Sequence, residues 1–125
     1  MNSYKNILEK IIEWINDGAF LPYKITCSRL PDEKGITASA EKGVVLSRYI
    51  DGGAYVRLPL VFRTKSLDGE EALEAACKIG QFVEKHEVFP EGISSCYISS
   101  LPEMWDNDGK GFVYSIGINV EFYSE

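Results

Sequence analysis

The sequence predicts an α+β domain of two layers: a mostly antiparallel sheet with two helices packed on one face. Three observations carry that reading. Apolar residues recur at helical spacing in two segments, one near the start of the chain and one after residue 68. Elsewhere the spacing changes to period two, the signature of half-buried strands. Between these strands stand Gly- and Asp-containing turns, which favour antiparallel hairpins over crossover connections. A helix with one apolar face must bury it, and the face of such a sheet is the available surface. With 125 residues, 45% hydrophobic and 26% charged, the chain reads as one domain, 1–125.

In the first helix Tyr4, Ile7, Leu8, Ile11, Ile12, Trp14 and Ile15 fall in an arc of about 160°. Ser3 or Asn2 can cap its start, and Gly18 is placed to end it. Pro22, Pro31 and the polar run Asp32 to Lys34 mark a connection, with a short strand expected around Tyr23 to Cys27. Ile36, Ala38 and Ala40 then alternate with Thr37 and Ser39. Val44 to Ile50 reads as the next strand, and Asp51-Gly52-Gly53 supplies a tight hairpin turn.

The strand after that turn places Val56, Leu58, Leu60, Phe62 and Thr64 on one face. Tyr55, Arg57, Pro59, Val61, Arg63 and Lys65 take the other. Pro59 lacks a backbone donor, so an edge position or a local bulge is expected. A second helix runs from about Gly69 to Lys85, with Asp68 and Glu71 spaced as a capping box. Its apolar face is rich in small residues, which let a helix lie close on a sheet. Ile93 to Ser100 is a strand, followed by Leu101-Pro102 and a loop through Trp105. The last strand is the clearest: Phe112, Tyr114, Ile116, Ile118, Val120 and Phe122 alternate with polar or small residues.

Charge is segregated along the chain. Residues 1–86 hold twelve acids and twelve bases, whereas residues 87–125 hold seven acids against Lys110 alone. The stretch 42–65 carries Lys42, Arg48, Arg57, Arg63 and Lys65 against Asp51. Either the basic middle and acidic end lie side by side and compensate within one molecule, or they lie on opposite flanks and steer head-to-tail association. The overall charge of −6 argues against nonspecific nucleic-acid binding. No apolar run reaches the roughly 20 residues needed to span a bilayer, and the charged N-terminal segment does not read as a signal peptide. Cys27, Cys77 and Cys96 are odd in number and widely spaced, which points to a reducing compartment.

Chemistry finds little footing. His86, the single histidine, stands at a helix end, where it serves best as a cap. No Gly-x-Ser-x-Gly elbow and no phosphate-binding Gly-rich loop is present. Asp106 to Gly111 starts like a calcium loop, but Lys110 and Gly117 occupy its fifth and twelfth positions, so it reads as a polar turn. No catalytic residue, metal ligand or cofactor site is expected.

The segment Arg57-Leu58-Pro59-Leu60-Val61-Phe62-Arg63-Thr64-Lys65-Ser66 leads directly into Asp68-Gly69-Glu70-Glu71-Ala72-Leu73 and its helix. With the N-terminal helix and the closing strand, this order resembles the minor-capsid and tail-terminator proteins of long-tailed phages and prophages. The resemblance implies a structural, non-enzymatic protein without cofactors. It would close into a ring, typically of six copies, on the end of the tail tube and join that tube to the head connector. Its partners would be itself, the tail tube protein and the connector protein. DNA would pass through the ring without specific binding, and no membrane would be involved. The expected location is the virion, and the host cytoplasm during assembly.

Under that reading Tyr55, Arg57 and Arg63 are expected at a subunit or partner interface. Asp106 and Asp108, with Glu87, Glu91 and Glu103, would line the lumen or face a neighbour's basic stretch. The alternative function is a small-molecule-binding or regulatory α+β module, with an apolar pocket near Trp14, Trp105 and Tyr97.

Overall fold

A computed structural model describes residues 4–27, 34–107 and 111–124. Two helices and a six-stranded, mostly antiparallel sheet make an α+β fold. The elements in chain order are α1 (Tyr4–Gly18), β1 (Ile25–Thr26), β2 (Gly35–Ala40), β3 (Val44–Arg48), β4 (Ala54–Ser66), α2 (Gly69–Lys85), β5 (Ile93–Asn107) and β6 (Phe112–Ser124). The sheet order is β1-β2-β4-β6-β5, with β3 also paired to β4. Among the described strands only β1 and β2 run parallel.

Period-two spacing becomes a single core. Val56, Leu58, Leu60 and Phe62 of β4 and Ile116, Ile118, Val120 and Phe122 of β6 are buried on one face. Ile7, Ile11, Ile12 and Ile15 of α1 and Ala75, Ala76, Ile79 and Val83 of α2 join the same cluster. Both helices therefore cover one face of the sheet, and among the described residues the other face carries no helix. The small side chains of α2 permit close approach: a Cβ on Gly80 would stand 2.9 Å from Ile116 Cδ1 and 3.0 Å from Ile98 Cδ1. At the end of α1, Gly18 lies against the Phe82 ring, where a Cβ would meet Cε1 at 2.3 Å.

Side chains fasten the layers at their ends. Asp68 caps α2 by accepting from the Glu70 N–H at 3.0 Å. The expected reciprocal contact from Glu71 is replaced: Ser66 Oγ takes the Asp68 N–H at 3.1 Å, and Glu71 instead accepts from Ser66 Oγ and from the Tyr23 hydroxyl. Glu71 thus ties the loop after α1 to the start of α2. Asn16 holds β1 by both backbone groups, accepting from Ile25 N at 2.8 Å and donating to Ile25 O at 3.3 Å. At the far end of α2, His86 is the C-cap; its N–H reaches Val83 O at 3.4 Å, and Nδ1 lies 2.6 Å from Phe82 O.

Two expectations need correction. The strand Tyr55 to Lys65 is not an edge. β4 pairs along its whole length with β6 on one side and with β2 and β3 in succession on the other. Pro59 is tolerated because its carbonyl accepts from Glu41 N at 2.8 Å, so its absent N–H faces the same side. There β2 hands over to β3: Ala40 pairs with Leu60 and Val44 with Arg57, so the connection 41–43, not a strand, lies beside Pro59. The edge does not hold, and β4 runs past Pro59 in unbroken register with β6. Likewise Leu101 to Trp105 is not a loop, because β5 continues to Asn107. Register shifts between Ile98 and Ser100 and between Ser100 and Glu103 absorb Pro102 within the strand.

Candidate functional site

The helix-free face of the sheet holds the interface residues expected from the sequence. Tyr55, Arg57 and Arg63 alternate along β4 on that face, all half-buried. Arg57 pairs with Glu121 of β6, its Nε 3.1 Å from Oε2, and the Tyr97 hydroxyl of β5 donates to the same oxygen at 2.6 Å. The Tyr97 bond, followed by the Arg57 guanidinium, holds the Glu121 carboxyl below its ordinary range. In turn, the bond to Glu121 raises Arg57. Arg63 lies between Thr37 of β2 and Ser115 of β6, and Ser115 faces Glu103 of β5.

Asp106 lies on β5 opposite Val113, and Val113 is opposite Lys65. Asp108 lies outside the described residues. The basic middle and the acidic end therefore meet within one sheet. At Arg57 and Glu121 the compensation is a direct contact, which favours the intramolecular reading for that pair.

Trp14 and Tyr97 are not brought together. Trp14 sits among Phe82, His86 and Phe89, with ring centroids 4.7, 5.3 and 5.8 Å away, in the helical layer. Tyr97 bonds to Glu121 on the opposite face of the sheet. Among the described residues no group of three or more His, Cys, Asp or Glu side chains is placed to hold a metal ion. No described helix is long and apolar enough to cross a membrane.

Two features were missed by reading the sequence. The first is an arm. β3 pairs with β4 along one edge, and every residue from Val44 to Ile50 is exposed, including Val44, Val45, Leu46, Tyr49 and Ile50. The arm is held in shape at its turn. Tyr49 N donates to Gly53 O at 2.9 Å, Gly53 N to Asp51 Oδ1 at 2.9 Å, and the Tyr123 hydroxyl to Asp51 Oδ2 at 3.0 Å. Gly52, at φ +92°, supplies the left-handed residue that the turn requires. The sequence did carry a signal, since Val44-Val45-Leu46 does not alternate and cannot hide all three side chains on one face.

The second feature is a groove of about 180 Å³ between α2 and β5, lined by Cys77, Gly80, Ile98, Leu101, Pro102 and Ile116, with Gln81 and Glu84 as its polar residues. Register shifts of β5 between Ile98 and Ser100 and between Ser100 and Glu103 fall beside it. Leu101 is 73% exposed beside it.

Comparison of the chain with protein-family models and with curated proteins finds no match.

Proposed function

We propose that this chain is a structural virion protein of the tail-terminator kind, which assembles as a ring on the end of a tail tube and joins it to the head connector. The observation that carries the reading is the exposed arm, with five large apolar side chains outside the core. Several large apolar side chains left exposed on one segment of a charged protein suit contact with another protein. Support comes also from the sheet, whose helix-free face presents the half-buried Tyr55, Arg57 and Arg63. The small-molecule reading draws less support. The α2–β5 groove is apolar and offers only Gln81 and Glu84 to orient a ligand, whereas small-molecule sites place several convergent polar groups.

The protein would act without cofactor or chemistry, through two faces, one for the tube and one for the connector. Affinity-labelled chain added to tail tubes of the encoding phage tests this by electron microscopy. Label confined to one end of each tube is expected. Label along the tube wall, or none on the tubes, would overturn the proposal.

A further inference from the structure

The arm and the groove stand at opposite sides of the sheet. β3 flanks β4 on one side, while β6 and then β5 follow on the other. Three strand spacings, about 14 Å, separate β3 from β5, so the arm of one molecule does not fill its own groove. Both features are apolar, and their shapes are complementary, one a projecting arm and the other a groove. The groove is walled by Ile98, Leu101 and Pro102, and its volume of about 180 Å³ suits an aliphatic side chain. For scale, an apolar cavity of roughly 150 Å³ accepts benzene. Ile50, at the tip of the arm, is fully exposed.

Charge points the same way. The bases of the arm are Lys42 and Arg48, with Glu41 and Asp51 standing at its two ends. The charged residue lining the groove is Glu84, and Glu103 follows Pro102 on β5. Both arm bases and Glu84 are exposed, which leaves them available for steering.

We propose that the β3 arm of one copy docks into the α2–β5 groove of a second copy, head to tail, through Leu46 or Ile50. Because the two surfaces differ, the contact is heterologous: each bound copy still presents a free arm at one end and a free groove at the other. Such a contact propagates until the rotation closes a ring. The inference deepens the ring reading and rests on it for its biological meaning, but the contact itself is a property of the purified chain.

Cys77 lines the groove and supplies the test. In a Cys27→Ser background, which removes the exposed thiol, Leu46→Cys and Ile50→Cys are each oxidised at high protein concentration and run on a non-reducing gel. The expected result for at least one of them is a ladder of dimer, trimer and higher species, ending at a closed ring and lost on adding Cys77→Ser. A product that stops at dimer would indicate a self-complementary contact and overturn the inference. So would a monomer at both positions, or a ladder that persists without Cys77. High salt should reduce the ladder several-fold, because exposed charges are screened. A ladder from a chain that leaves tails unaffected would sink the virion reading alone. A chain that caps tails yet gives no ladder would sink this contact alone.

Discussion

Gly53→Ala isolates what holds the arm in place. Gly53 is buried beneath the Tyr123 ring, and an added Cβ would fall 1.9 Å from the hydroxyl oxygen and 2.3 Å from Cζ. The ring is rigid, so the whole side chain must swing away. It would abandon its bond to Asp51 and its packing on Tyr49, where the centroids are 5.6 Å apart. Crowding of this kind costs about 1–3 kcal/mol. Against it, replacing glycine lowers the entropy of the unfolded chain, a gain of about 0.4–1 kcal/mol where the backbone is compatible. The crowding wins, for a net loss of about 1–2 kcal/mol, or a Tm lower by roughly 3–10 °C for a domain of this size. Thermal unfolding followed by circular dichroism measures it. In a Tyr123→Ala background the obstacle is gone, and Gly53→Ala should become neutral or slightly stabilising. An equal loss in both backgrounds would refute the explanation.

Cys96 should resist thiol reagents at pH 8 while exposed Cys27 reacts, because burial pushes the Cys96 thiol up to about 12; mass spectrometry after brief alkylation reads the difference. Asp68→Ala should cost about 0.5–2 kcal/mol by leaving the Glu70 N–H without its cap, measured by urea unfolding. Glu121 is held below its ordinary pKa by Tyr97 and Arg57, so its contribution is full above the unfolded carboxylate value of about 4.3 and fades as pH falls through the lower folded value. Stability of the native chain should therefore drop between pH 5 and about 2 more steeply than that of Glu121→Gln, with unfolding midpoints at several pH values as the check.

The two layers were legible because each depends on a local pattern. Alternation from Val56 to Thr64 and from Phe112 to Phe122 marked the inward face, and the arc of isoleucines in α1 marked its buried stripe. Strand order was not legible in the same way. Pro59 argued for an edge by the donor it lacks, yet the cost depends on which side that donor would face. The answer lay in the break between Ala40 and Val44, where β2 gives way to β3, a pairing detail that spacing along β4 does not reveal. The stretch from Leu101-Pro102 through Trp105 read as a loop, yet register shifts let β5 carry Pro102 within the strand. Of the residues assigned to an interface, Tyr55, Arg57 and Arg63 do share one sheet face, as period two requires. That Arg57 is engaged by Glu121 came from register, 64 residues apart in sequence. The groove joins residues of α2, β5 and β6, and no local pattern encodes such a meeting.

The most direct test of the structural role is the length of tails made without this chain. If the proposed role holds, deleting its coding sequence from a phage or prophage that carries it should let tubes grow past their normal length, vary widely, and remain unattached to heads in electron micrographs. Supplying the intact chain should restore uniform tails joined to heads. Tails of normal length, attached to heads in its absence, would contradict the role proposed.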